Sequence, residues 1–135
     1  MSKIRNVRKG FTLIELLLVM VILAVLAAIV VPRFTKRGEQ AKQTAAKADI
    51  ASIATAIKAF EVDCGRFPTA LRELIEDPSI KGWKGPYLEK GVPKDPWGTE
   101  YQYRCPGTHK NDFDLYSFGP DTTEGNDDID NWTND

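Results

Sequence analysis

Gly10-Phe11-Thr12-Leu13-Ile14-Glu15-Leu16-Leu17-Leu18-Val19-Met20-Val21-Ile22-Leu23-Ala24-Val25-Leu26-Ala27-Ala28-Ile29-Val30-Val31-Pro32 is the stretch on which everything else in the chain depends. From Phe11 to Val31 only Thr12 and Glu15 are polar. At about 1.5 Å per helical residue the run reaches about 31 Å, the thickness of a bilayer's hydrocarbon core. The sequence therefore predicts a membrane-spanning helix over 11–32. Glu15 is out of place on hydrophobic grounds, because a carboxylate inside a membrane costs at least a few kcal/mol and such residues are usually functional. Cutting the chain after Gly10 would explain it. The cut creates a positive α-amine at Phe11, within reach of Glu15 on the same chain or on a neighbour.

Residues 1–10 agree with that cut. They carry Lys3, Arg5, Arg8 and Lys9 and no acid. Positive charge ahead of a spanning segment keeps that end in the cytoplasm and sends the C-terminus outward. An ordinary signal peptide is cut after its apolar region at small residues, and Val30-Val31-Pro32-Arg33-Phe34 is a poor site for that. Lys9-Gly10-Phe11-Thr12-Leu13-Ile14-Glu15 instead resembles the prepilin-peptidase site of type IV pilins and their relatives. The resemblance implies removal of the leader 1–10 on the cytoplasmic side, between Gly10 and Phe11. It also implies N-methylation of Phe11 and retention of the apolar helix.

The chain has 135 residues. Without leader and spanning helix roughly 100 remain, enough for one small domain, 33–135, with a thin core. The overall charge of −1 conceals an asymmetry: the leader holds four of the 18 basic residues, leaving 14 against 19 acids. Residues 111–135 hold eight acids and no Lys or Arg. Such a tail disfavours nucleic acid and invites a divalent cation. Cys64 and Cys105 are the two cysteines. Outside the inner membrane they can form a disulfide, and the composition leaves that pairing and two buried thiols equally open.

Pro32 lacks an N–H and is expected to kink or interrupt the helix. Arg33, Lys36 and Arg37 are placed to snorkel to the outer headgroups. Residues 39–62 predict a second helical stretch continuous with the first, about 50 residues in all. Ala46, Ile50, Ile53, Ile57 and Phe60 form one apolar stripe along it. Gly65 ends it. Thr69 is expected to cap a short helix, 70–76, facing Leu71, Leu74 and Ile75 inward. Residues 79–98 are dense in Gly, Pro and aromatics and predict an ordered loop held by rings. Thr99–Cys105 and Phe113–Phe118 predict a two-stranded antiparallel hairpin whose apolar face covers the stripe. In the second strand Phe113, Leu115 and Ser117 alternate with Asp114, Tyr116 and Phe118. The fold class is α+β: a long N-terminal helix, its inner half transmembrane, on a small antiparallel sheet.

After the hairpin, Asp121, Asp127 and Asp128 are hard oxygen donors gathered by a Gly-containing turn. This is calcium chemistry, though not an EF-hand; a polar β-turn with Asx-type hydrogen bonds is the alternative. Asp95-Pro96-Trp97-Gly98, Asp114-Leu115-Tyr116-Ser117-Phe118-Gly119-Pro120-Asp121 and Asp127-Asp128-Ile129 together resemble the major pseudopilins of type II secretion systems. With the leader and Phe67-Pro68-Thr69 the likeness covers nearly the whole chain. It implies a type IV pilin-like fold whose C-terminal loop binds Ca2+ through Asp121, Asp127 and Asp128. The backbone carbonyls of Phe118 and Thr123 join the set. The segment between Asp121 and Asp127 is one residue shorter than the pattern, which bears on Thr123 and not on the carboxylates.

The resemblance implies a structural subunit of a secretion pseudopilus, polymerising through its N-terminal helix to help export folded proteins across the outer membrane. Its partners would be further copies of itself, minor pseudopilins, secretion-platform proteins, the prepilin peptidase/N-methyltransferase and, before assembly, inner-membrane lipid. The chain would cross that membrane once, with its C-terminal domain in the periplasm. A surface type IV pilus is the alternative. An enzyme is disfavoured: there is one His and no Gly-x-Ser-x-Gly elbow or phosphate-cradling loop. His109 is expected to be a surface residue in a turn.

Overall fold

The computed structural model describes residues 9–133. The leader charges Lys3, Arg5 and Arg8, and Asn134 and Asp135, lie outside the described residues, as do the side chains of 32–34. One helix, α1 (Leu13–Cys64), runs for 52 residues. Of the kink or interruption expected at Pro32, the interruption does not occur, since the helix continues through it. A proline inside a helix removes one backbone bond and crowds the preceding turn, at a cost of about 3 kcal/mol. Contacts divide the chain after Gly38 into two units, both of which contain part of α1.

In the first unit the apolar side chains are exposed, from Phe11 at 88% to Val31 at 58%. Among the described residues, α1 alone is long and apolar enough to cross a membrane.

The second unit, Glu39–Asp135, holds the core. Ala46, Ile50, Ile53, Ala56, Ile57 and Phe60 are buried along α1, which is the predicted stripe with Ala56 added. Leu74, Tyr101, Phe113, Leu115 and Ile129 pack against them. Gly65 ends the helix at φ 72°, its N–H donating to the Glu61 carbonyl at 2.7 Å. The following short helix is a 3-10 turn, Leu71–Leu74. Thr69 does not cap it as predicted: its hydroxyl and N–H both donate to the Glu73 carboxylate.

The loop 79–98 is ordered by its rings. Trp83 Nε1 donates to the Glu73 carbonyl at 2.9 Å. The Tyr87 hydroxyl donates to Asp63 at 3.0 Å and its ring meets Phe60 edge-on. Gly82 sits against the end of α1 at φ 95°, and a Cβ there would stand 2.2 Å from the Asp63 carbonyl oxygen.

Among the described residues the sheet has three strands rather than two: β1 (Gln102–Arg104), β2 (Asp114–Ser117) and β3 (Ile129–Asp130), antiparallel in that order. Tyr103 pairs with Leu115, and Ser117 with Ile129. The strict alternation expected along β2 fails at Asp114, which is 1% exposed. The turn after β1 folds over it and supplies donors. Tyr101, immediately ahead of β1, donates its hydroxyl to Asp49 on α1 at 2.8 Å. Burial and the Asp49 carboxylate push its phenol well above the usual range.

Phe60 is fully buried and carries Tyr87 at its edge and the Arg66 guanidinium over its face. Phe60→Ala should cost about 3–5 kcal/mol. Urea unfolding of the full chain in detergent micelles measures this, and a loss under about 1 kcal/mol would mean that the stripe is not the core.

Candidate functional site

Two places gather chemistry. The first is the start of α1. Gly10 and Phe11 precede the helix and are exposed, and Glu15 lies in its first turn. The Thr12 N–H donates to Glu15 Oε2 at 2.8 Å, and the Glu15 N–H donates to Thr12 Oγ1 at 3.3 Å. This is a reciprocal capping box, which satisfies backbone donors that a helix start otherwise leaves open. Thr12 and Glu15 were the two polar residues of the apolar run, and their spacing of three is the signal for the box.

The second place is the loop between β2 and β3. It opens with a 3-10 turn, Gly119–Asp121, followed by Thr122 in the left-handed region at φ 60°. The Thr123 N–H donates to Asp121 Oδ1 at 2.9 Å, and the Gly125 N–H donates to Asp128 Oδ1 at 3.1 Å. Gly125 is the hub. A Cβ there would stand 3.3 Å from Asp127 Oδ1, 3.8 Å from Asp121 Oδ2 and 3.9 Å from the Thr123 carbonyl oxygen. Four of the five predicted donors therefore surround one glycine. The fifth, Phe118, stands just ahead of the turn, its ring edge-on to Tyr116. Among the described residues no group of three or more His, Cys, Asp or Glu side chains forms a ready metal cage. The donor set is nevertheless all oxygen, carboxylate and carbonyl, which is the chemistry a hard divalent cation requires.

Electrostatics set the resting state of this loop. Burial, and then the charges of Asp127, Glu124 and Asp121, hold the Asp128 carboxyl above its usual range, against the Gly125 N–H that favours the ionised form. Both ends of the loop are anchored. At the exit, the Leu115 N–H donates to Asn131 Oδ1 at 2.9 Å, and Trp132 stacks on His109 at 3.9 Å and 5°. His109 is the exposed turn residue expected, and its Nδ1 also lies 3.0 Å from Asp114 Oδ2. Burial alone would raise Asp114, but donors from Thr108 and His109 outweigh it and hold the carboxyl below the usual range.

At the entry, the Ser117 hydroxyl donates to Asp95 Oδ2 at 2.6 Å and accepts from the Gly119 N–H at 3.1 Å. Neither Asp95 nor Ser117 carries a role at the acidic loop that its own stretch of sequence makes evident. The local signal is Asp95-Pro96-Trp97-Gly98 itself, where an Asp at the head of a turn bonds backbone N–H groups ahead of it. Here these are Trp97 and Thr99, at 3.1 and 2.7 Å.

The two cysteines are free thiols. The pairing left open by composition is not formed. Cys105 is exposed and directs Sγ to the Asp112 carbonyl of its own turn at 3.6 Å, while Cys64 is half-buried at the end of α1.

Because Asp128 titrates higher in the folded state than in the unfolded one, its ionisation weakens the metal-free fold at neutral pH. That penalty is relieved as pH falls through the folded value toward the ordinary carboxylate range. Asp128→Asn keeps an acceptor for Gly125 and should raise the melting temperature in EDTA at pH 7 by a few degrees, with no gain at pH 3. An equal gain at both pH values would contradict this.

The chain matches the family model for type II secretion system protein G over residues 33–132. It matches the prokaryotic N-terminal methylation motif over residues 5–31. It is 48% identical to the type II secretion system core protein G of Pseudomonas aeruginosa, with 96% of this chain and 99% of that protein covered. Against the core protein G of Klebsiella pneumoniae the identity is 40%, with 93% and 95% covered. In structure it resembles the major pseudopilin of the type 2 secretion system of enterohaemorrhagic Escherichia coli. The TM-score is 0.64 at 28% identity, covering 72% of this chain and 87% of that one.

Proposed function

The chain belongs to the type II secretion system protein G family, and from that premise we propose how its parts serve a secretion fibre. It is a structural subunit of the pseudopilus. The observation that carries the mechanism is the apolar surface of 11–31, which the described part of the chain leaves exposed. In the membrane, lipid covers that surface. Leaving lipid is tolerable only when the helices of other copies replace it, so the same helix serves as anchor and as polymer core. The relatives compared are secretion-system proteins, and the surface-pilus alternative draws no support from them.

The match to the methylation motif supports cleavage between Gly10 and Phe11 and methylation of the new Phe11 amine by a prepilin peptidase. The mature chain then sits in the inner membrane with its C-terminal domain outside. Glu15 caps its own helix through one bond to the Thr12 N–H. A carboxylate has acceptor capacity beyond one bond, which leaves it able to take the Phe11 amine of an adjacent copy. That pair neutralises two charges inside an apolar bundle. Minor pseudopilins and the membrane platform that extracts the subunits complete the assembly.

Glu15→Gln keeps an acceptor for the cap and removes the charge, whereas Glu15→Ala removes both. Losing a charge-assisted contact of about 1.5–3 kcal/mol per subunit should reduce sheared or sedimented fibre about tenfold or more in both variants, with insertion and leader removal intact. Normal fibre from Glu15→Gln would contradict the pairing.

The acidic loop holds Ca2+ through Asp121, Asp127 and Asp128 with the Phe118 and Thr123 carbonyls. The convergence of oxygens on Gly125 and the repulsion at Asp128 support this. Bound calcium supplies positive charge that offsets that repulsion and ties the loop across its own mouth. At calcium a hundredfold above Kd the fold gains about 2.7 kcal/mol, or about 10–20 °C in melting temperature for a domain of this size. Thermal melts of the full chain in micelles, with calcium and with EDTA, read this directly. Superimposable curves would show that the loop holds no calcium.

A further inference from the structure

The entry to the acidic loop is held by a buried polar relay whose members lie far apart in sequence. Asp95 is 3% exposed and Ser117 fully buried. One Asp95 oxygen is fixed by the Trp97 and Thr99 N–H groups; the other accepts the Ser117 hydroxyl at 2.6 Å. The Ser117 oxygen in turn accepts the Gly119 N–H at 3.1 Å. Gly119 itself stands at φ 71° and presses on the far side of the loop. A Cβ on it would lie 2.6 Å from the Asp127 carbonyl oxygen and 3.3 Å from Asp127 Oδ2. The relay therefore ends at the point where the loop's entry touches its exit.

We propose that Asp95 and Ser117 are positioning residues for the cation held by the acidic loop. They fix the turn at Gly119, from which the Phe118 carbonyl and Asp121 are presented and against which Asp127 rests. This rests on the calcium assignment made above. The relay's second anchor is the helix: Trp97, whose N–H binds Asp95, also donates Nε1 to Glu39 on α1 at 2.5 Å. Donor orientation is thus set by a carboxylate that coordinates nothing. Groups that orient metal ligands without touching the ion typically change affinity 10–100-fold when removed.

Removing one relay member leaves the others unpaired. Ser117→Ala strands the Gly119 N–H and one Asp95 oxygen. Asp95→Asn keeps the shape but places an N–H donor opposite the Ser117 hydroxyl, so that the hydroxyl proton loses its acceptor.

The test is calorimetric titration of calcium chloride into the full chain in detergent micelles, with near-UV circular dichroism to confirm folding. Both variants should bind at least about tenfold more weakly than the unsubstituted chain. Leu74→Ala is the control. Leu74 is fully buried and outside the relay, so this variant should melt lower yet bind within about twofold of the parent. If Ser117→Ala does not fold, the isosteric Asp95→Asn carries the comparison alone. Unchanged affinity in the folded relay variants overturns the proposal. So does an equal loss in Leu74→Ala, which would make the effect one of general stability. No binding heat from the unsubstituted chain would overturn the calcium assignment itself, and the relay with it.

Discussion

An apolar helical surface that none of the described residues covers constrains everything else in this protein. Residues 11–31 are exposed along their whole length, Phe11 and Leu13 at more than 80%. Water cannot be their solvent at about 25 cal/mol per Å2 of apolar area. They need lipid, or helices like themselves, and a secretion subunit meets both in turn. The polar residues near the start fit the same constraint. Thr12 and Glu15 close the first turn on each other, so that backbone donors are satisfied where water is scarce.

The second half of α1 solves the opposite problem. Its stripe, centred on Ile53, Ile57 and Phe60, is sealed by Leu74 and by Tyr101, Phe113 and Leu115 from the sheet and its flanks. The polar groups within the unit are paired: Tyr101 to Asp49, Tyr103 to the Pro68 carbonyl, Trp97 to Glu39. Among the described residues no buried side-chain donor or acceptor lacks a partner. A unit with so thin a core draws stability from such bonds because leaving one unmade costs about 1–3 kcal/mol. The acidic loop stands out against this, since its carboxylates repel one another and its order comes from anchors at Ser117 and Trp132.

The helix and its buried face were legible because periodicity is a property of the sequence itself, and Ala46, Ile50, Ile53, Ile57 and Phe60 repeat at helical steps. Gly65 marked the end for an equally local reason. What was not legible depended on distant partners. Ile129–Asp130 is too short to alternate and lies among acids, so β3 emerges only from its pairing with Tyr116 and Ser117. Asp114 occupies an outward position on β2 by parity and is buried because Thr108 and His109 fold over it. The three aspartates of the loop were visible as a cluster. The relay that holds them was not, because Asp95 and Ser117 are 22 residues apart and meet only in the fold.

This chain is a working part of a protein-secretion fibre. The direct measurement compares culture medium and periplasm from cells lacking the chain, from the same cells supplied with it, and from the parent strain. Exported proteins should be held in the periplasm without it and return to the medium when it is restored. Unchanged secretion in its absence, with surface fibres or motility lost instead, would contradict a secretion role and make the chain a surface-pilus subunit.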